Sequence, residues 1–366
     1  MMNFMRAAAV AVVLALAAAG VSALAAGQAP AQEKGAFKYA GIASCSTKDC
    51  HGSETPKGSP ALNEYPVWKK EDPHSKTFTT LYKGPSKAMG TAMKIAKVTD
   101  SPRCISCHSK AVEPAKVMPN VKWAVSNGVS CEVCHGPGEQ WLMPHATPKE
   151  KNWSHEKSVE LGMIDLRSLP AWAASCASCH LQIEHDMITA GHPKLLFEMV
   201  DYNARTGAHW KTEKHPSMAP GFDQKAWAVG QVVSLAEALR NLEQWTKASA
   251  PPERLAEAKA QAESHQRLLK HLAGYTPSDD PKAVEAQASK VPPGDDALLA
   301  KVAAEDAPKD FMGARQVALA FRALSTKAAA KADIDKLCEH IVAKNEPKFD
   351  AAKFAADFDK VKAHFK

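Results

Sequence analysis

Three pentapeptides of this chain share the pattern Cys-x-x-Cys-His: CISCH from Cys104 to His108, CEVCH from Cys131 to His135, and CASCH from Cys176 to His180. No other feature limits the fold so strongly. At this spacing two thiols stand about one helical turn apart and can bond the two vinyl groups of a porphyrin, with the following His beneath the iron as its proximal ligand. Each pentapeptide therefore predicts a covalently attached c-type haem. Cys45-Ser-Thr-Lys-Asp-Cys50-His51 is a variant with four residues between the thiols and the His still beside the second. With it, eight of the nine Cys fall into pairs, each followed by His, between positions 45 and 179. Zinc sites and disulfides also use paired cysteines, but neither requires a His after every second thiol. For Cys45 and Cys50 a disulfide stays open as the alternative. Cys338 has no partner and reads as a small buried hydrophobe in a helical pattern.

The N-terminus predicts the compartment. A short basic segment to Arg6, an apolar Ala-rich run over residues 7–25 and the small-x-small site Ala23-Leu24-Ala25 read as a secretory signal peptide, residues 1–26, with an uncleaved anchor as the rival reading. The mature chain is then periplasmic or extracellular, with no stable membrane insertion after cleavage. Cysteines oxidise there unless a cofactor claims them.

Each haem iron has a second face. Eleven of the 15 His lie between His51 and His215, and beyond the proximal ligands His51, His108, His135 and His180 this leaves His74, His145, His155, His185, His192, His209 and His215. Bis-His haem is coordinatively saturated and passes electrons, whereas a haem with one open face can bind a small molecule. His74 in WKKEDPHSKTF, His145 in CHGPGEQWLMPH, His192 in AGHPKLLFEM and His209 in AHW stand beside aromatic or Pro residues that can pack on a porphyrin, and these are the distal candidates.

Taken together, YAGIASC with its CH, the Trp-to-His segment, CISCH, the GVSCEVCHGPG block, and CASCH with GHPKLLFEM and HW resemble the cytochrome c-554 family of tetrahaem c-type cytochromes, over residues 39–222. The resemblance implies haems in closely stacked pairs and distal His drawn from elsewhere in the chain. By order, it implies His74 on the haem of His135, His145 on that of His51, and His209 on that of His180. It leaves the His108 haem with an open face, where small nitrogen oxides could bind, unless His192 closes it. The chain departs from the family pattern in the longer first Cys spacing and in the inserted GSETPKGSPALNEY before His74.

The fold class expected is mainly α: short helices and long loops around four haems over residues 27–222, then an antiparallel helical bundle over residues 223–366. In the first part Pro and Gly recur and no strand alternation appears, so the haems must supply the core. In the second, Trp227, Leu235, Leu242 and Trp245 mark one helix and Pro251-Pro252 open another to about Leu272. Phe311, Val317, Phe321 and Leu324 mark a third, continued by Ile334, Leu337 and Ile341. Phe354, Phe358, Val361 and Phe365 form a last stripe, and residues 274–296 read as a loop.

Charge excludes one class of partner. From Asp223 onward 22 basic residues face 21 acidic ones, which argues against nucleic-acid binding. The formal +6 of the whole chain overstates its positive charge once haem propionates are added. The leading functional expectation is a tetrahaem electron carrier between redox partner proteins. Its alternatives are a haem enzyme acting on nitric oxide, hydroxylamine or nitrite at a five-coordinate His108 haem, and a scaffold that self-associates through residues 223–366.

Overall fold

The computed structural model describes residues 37–55, 62–147, 153–207, 209 and 216–366. The expected signal peptide and His215 lie outside these residues. The described residues are mainly helical and contain no sheet; an isolated bridge joins Tyr39 to Val117. All of them fall within one compact unit. Among them, no helix is long and apolar enough to cross a membrane.

The first part of the chain is built of short helices: α1 (Glu64–Glu71), α2 (Gly84–Ala92), α3 (Pro102–His108), α4 (Cys131–His135), α5 (Leu142–Ala146), α6 (His155–Glu160), α7 (Leu169–His180), α8 (His185–Thr189) and α9 (Met199–Asn203). A ten-residue 3₁₀ segment, Pro73–Tyr82, lies between α1 and α2. Its first turn is fixed by Pro73 and by the Asp72 carboxylate, which accepts the His74 N–H at 2.9 Å. The apolar cluster here is small, with Phe78, Leu81, Val98 and Ile105 as its buried members.

The second part holds α10 (Phe222–Lys247), α11 (Pro252–Leu269), α12 (Pro281–Glu285), α13 (Asp296–Ala303), α14 (Phe311–Leu324), α15 (Lys331–Glu339) and α16 (Ala351–Ala363). The Asp295, Asp310 and Asp350 side chains accept first-turn N–H groups of α13, α14 and α16, while Pro252 opens α11. The stripe from Phe354 to Phe365 is buried as its spacing predicts.

Two elements differ from expectation. Residues 274–296 are not all loop: Asp280 caps the single turn α12, and Val284, Ala288 and Val291 join the core. The α10 helix is buried on every side from Ala226 to Leu239, not along one stripe. Its Ala, Gly and Ser positions are covered by α7, α9, α11, α12 and α14, and an added Cβ at Gly230 would meet the Met199 Cβ at 2.6 Å. A helix enclosed in this way shows no amphipathic period. The main core is consequently continuous across the chain: Ala173, Ala177 and Leu181 of the CASCH helix and its exit, together with Leu196, Phe197 and Met199, pack with α10 to α16.

Candidate functional site: four opposed imidazole pairs

The three regular motifs each end a helix. In α3, α4 and α7 the His is the last residue, so its backbone stays helical while its ring projects beyond the terminus. The variant motif reaches the same end by another route. Its extra residues fold into turns, and the His51 N–H donates to the Cys45 carbonyl at 3.1 Å, the bond that the His of a helical pentapeptide makes to its first Cys. Gly52 is required here, since a Cβ would lie 2.0 Å from the Ser46 carbonyl oxygen.

Each motif His faces one distal candidate. His51 and His145 have ring centroids 6.1 Å apart and planes 6° from parallel. His74 faces His180 at 5.9 Å and 64°. His108 faces His192 at 6.4 Å and 75°, and His135 faces His209 at 6.4 Å and 65°. Two imidazoles bound to one metal on opposite sides, each through a bond of about 2.0–2.1 Å, place their ring centres roughly 6.3 Å apart. The four pairs fit an iron between them.

Ring hydrogen bonds show which nitrogen of most of these histidines is engaged. A metal-binding His holds its second ring N–H in a hydrogen bond, which fixes the ring and frees the other nitrogen. Nδ1 is engaged by the Glu64 carboxylate in His51 (2.9 Å), by Asp72 in His74 (2.8 Å), by the Thr80 hydroxyl in His108 (2.9 Å) and by the Pro193 carbonyl in His192 (2.8 Å). It is also engaged by the Trp141 carbonyl in His145 (3.2 Å) and by the Gly207 carbonyl in His209 (3.2 Å). In His51, His74, His108, His145 and His192, Nε2 is the nitrogen left for a metal. His155, His271, His340 and His364 instead bind Asp165, Glu305, Asp357 and Asp333 through Nε2. His185 lies against Trp245. His265 is enclosed in the helical core, bonded to Gln231.

Burial keeps the inner imidazoles in the neutral form that ligates. Desolvation, reinforced by neighbouring imidazoles, pushes both His135 and His180 down to about 4. The Glu64 carboxylate has the opposite effect at the outer site and raises His51 above its ordinary value, against burial.

The thiols of different motifs adjoin. The Cys45 and Cys131 thiols are neighbours, and each acts on the other, with Cys45 pushed up and Cys131 down. Cys107 and Cys179 are neighbours in the same way, with Cys107 raised and Cys179 lowered. Burial takes Cys134 and Cys176 each up to about 12, and the neighbouring Cys176 adds to the rise at Cys134. All nine Cys are free thiols, and among the described residues no three His, Cys, Asp or Glu side chains converge on a bare-ion site. Cys338 is part-buried against the helical core, and burial pushes it up to about 11.

The resemblance implies His145 for the site of His51, and these two rings are neighbours; it implies His74 for His135 and His209 for His180, whereas the ring beside His74 is that of His180 and the ring beside His209 is that of His135. The reason is the 3₁₀ segment: the Val129 N–H holds the His74 carbonyl at 3.1 Å, and the Thr77 hydroxyl holds the His108 carbonyl at 2.9 Å. His74 is thereby carried to the His180 side of the molecule. Sequence reasoning also missed the groups that fix the rings. Asp72, two residues before His74, was within reach of a local reading; Glu64 and Thr80 meet their histidines only through the fold. Glu132, inside CEVCH, is buried and accepts N–H groups from Ala40, Gly41 and Gly138 at 2.7–2.8 Å, tying the first motif to the third.

Thioether-spaced thiols on helix ends, each with a proximal imidazole, define a c-type cytochrome. Residues 44–136 match the family of cytochrome c554 and c-prime, a stretch that takes in the motifs of His51, His108 and His135 and the distal candidate His74. Neither curated proteins nor solved structures gave a match.

Proposed function

We propose that the protein is a periplasmic or extracellular tetrahaem cytochrome c that carries electrons between redox partner proteins, with every iron held by two imidazoles. The observation that carries this reading is the set of four opposed imidazole pairs, 5.9–6.4 Å between ring centres. Haem supplies the one-electron chemistry. Cys45 and Cys50, Cys104 and Cys107, Cys131 and Cys134, and Cys176 and Cys179 anchor it. His51, His108, His135 and His180 are the proximal ligands, and His145, His192, His209 and His74 the distal ones in the same order.

The neighbouring thiols support a sequence of four sites. Cys45 meets Cys131, Cys134 lies near Cys176, and Cys179 meets Cys107, so the order is His51, His135, His180, His108. The two ends, at His51 and His108, are the points of exchange with partners. His192 opposite His108 favours a carrier over an enzyme with an open iron. The signal-like residues 1–26 support export, and residues 223–366 are a helical region packed against the haem-binding part.

Electron paramagnetic resonance of the oxidised holoprotein, with haem counted by mass on the same sample, tests this. Four haems and low-spin iron alone are expected. The ring angles sharpen the expectation: parallel imidazoles split the iron d orbitals and perpendicular ones leave them nearly degenerate, so one rhombic signal and three of large anisotropy should appear. A stoichiometric high-spin ferric signal overturns the carrier reading.

A further inference from the structure

His192 stands on a segment whose placement is controlled from the helical region. On its N-terminal side, the Arg103 guanidinium of α3, beside Cys104, pairs with Glu184 and with Asp186 of α8, and the His192 N–H then closes on the Met187 carbonyl at 2.9 Å. On its C-terminal side, residues 192–198 lie in neither helix nor strand. Side chains of the helical region hold them. Lys194 Nζ reaches Glu257 of α11 at 3.2 Å and Glu346 at 2.7 Å. Gln261 of α11 donates to the Leu195 carbonyl at 3.3 Å, while Arg315 and Gln316 of α14 donate to those of Leu196 and Phe197 at 3.1 and 3.2 Å. Four consecutive residues are thus each held by α11, α14 or Glu346. Asp201, bound by Arg315 at 2.9 Å and by Arg322, fastens the far end.

The bonds to Leu195, Leu196 and Phe197 satisfy carbonyls that no strand partner covers, and together with the Lys194 ion pairs they set the path of the segment. Behind them the network continues inward, from Gln316 to Gln231 at 3.0 Å and from Gln231 to the enclosed His265 at 2.7 Å. His192 itself, by contrast, is only half-buried and makes its ring hydrogen bond to the next residue's carbonyl. Its position over His108 comes from the two anchors.

We propose that α11, α14 and Glu346 form a clamp that keeps His192 on the His108 iron, so that the helical region decides whether this one iron is six-coordinate. The proposal rests on His192 being the sixth ligand. Lys194 and Gln261 are its positioning residues on the accessible edge, away from the buried Arg315.

Carbon monoxide binding to the reduced holoprotein, with the ferric spin state read on the same samples, tests the clamp. His192→Ala is the reference and should bind one carbon monoxide per chain and show one high-spin iron. The double exchange Lys194→Ala with Gln261→Ala should bind carbon monoxide at that same haem about tenfold more tightly than the parent, because His192 spends more time released. Glu346→Gln, which removes one of the two partners of Lys194, should shift affinity in the same direction by less, and Lys194→Arg should keep the parent affinity. Haem content and thermal midpoint should be unchanged throughout. Parent-like affinity and spin state in the double variant, or binding at more than one haem, overturns the clamp. A His192→Ala protein that stays wholly low-spin overturns instead the assignment of His192 as ligand.

Discussion

The two parts of the chain solve the problem of a core in different ways. Residues 223–366 bury Trp227, Phe321, Phe354 and Phe358 completely, in a side-chain core that α7 and the residues around Phe197 complete. Residues 37–147 bury a four-residue apolar cluster, and around it imidazoles and thiols stand in pairs where a core would be. On the proposed reading, haem between the rings completes this part. The difference teaches where to look for stability: in side-chain packing in one region and, on the proposed reading, in covalently held haem in the other.

The largest effect expected breaks the comparison along that line. If the full chain is made without haem attachment, hydrogen exchange should leave the amides of α10, α14 and α16 protected while those of residues 64–146 exchange at nearly unfolded rates. Equal protection in both parts would show that the first does not depend on haem. Next comes the helical core: Phe354→Ala, at a fully buried ring packed on Phe349, Phe358 and His340, should cost about 3–5 kcal/mol in denaturant unfolding. The absorbance spectrum of the haems should not change.

What could be read from sequence follows the same division. Covalent chemistry is local, so the four motifs declare themselves within five or seven residues, and the stripe from Phe354 to Phe365 is equally local. Which imidazole meets which iron is not local. The exchange of His74 and His209 depends on the hydrogen bonds of Val129 and Thr77, which join segments about 50 or 30 residues apart. The enclosure of α10 was hidden for a related reason: Ala, Gly and Ser at its crossings look neutral in a hydrophobic pattern, although they are what lets five helices approach. Glu198 illustrates a third kind of silence, since a single Glu carries no mark of burial.

Glu198 caps α9 from inside the core, accepting the Val200 and Asp201 N–H groups at 3.1 and 2.7 Å. Burial raises its carboxyl from 4.5 to about 7, against those two hydrogen bonds. The folded state therefore keeps a proton that the unfolded chain has released, so stability should fall as pH rises from about 4.5 to 7 and level off above. Glu198→Gln should remove that slope, leaving a protein less pH-sensitive and about 1–2 kcal/mol more stable at pH 8 than its parent's trend implies. Thermal midpoints of both proteins between pH 4 and 8 provide the check; parallel curves would mean that Glu198 titrates normally.

The smallest effect concerns a carboxylate that works on a ligand instead of on the fold. Glu64 begins α1 and holds His51 Nδ1 at 2.9 Å, while the His51 carbonyl accepts the Tyr65 N–H at 2.9 Å, so ring and backbone are fixed separately. A charged acceptor on Nδ1 makes the imidazole a stronger donor and favours ferric over ferrous iron. Glu64→Gln keeps the shape and removes the charge. It should raise the potential of the His51 haem by on the order of 20–50 mV and leave the other three in place. Because the pair is part-exposed, the shift should shrink in high salt. The corresponding exchange at His108, Thr80→Val, removes a neutral partner at the same nitrogen, and a smaller shift there than at His51 in spectroelectrochemical titration would show that charge, not ring orientation, sets the difference between the two sites.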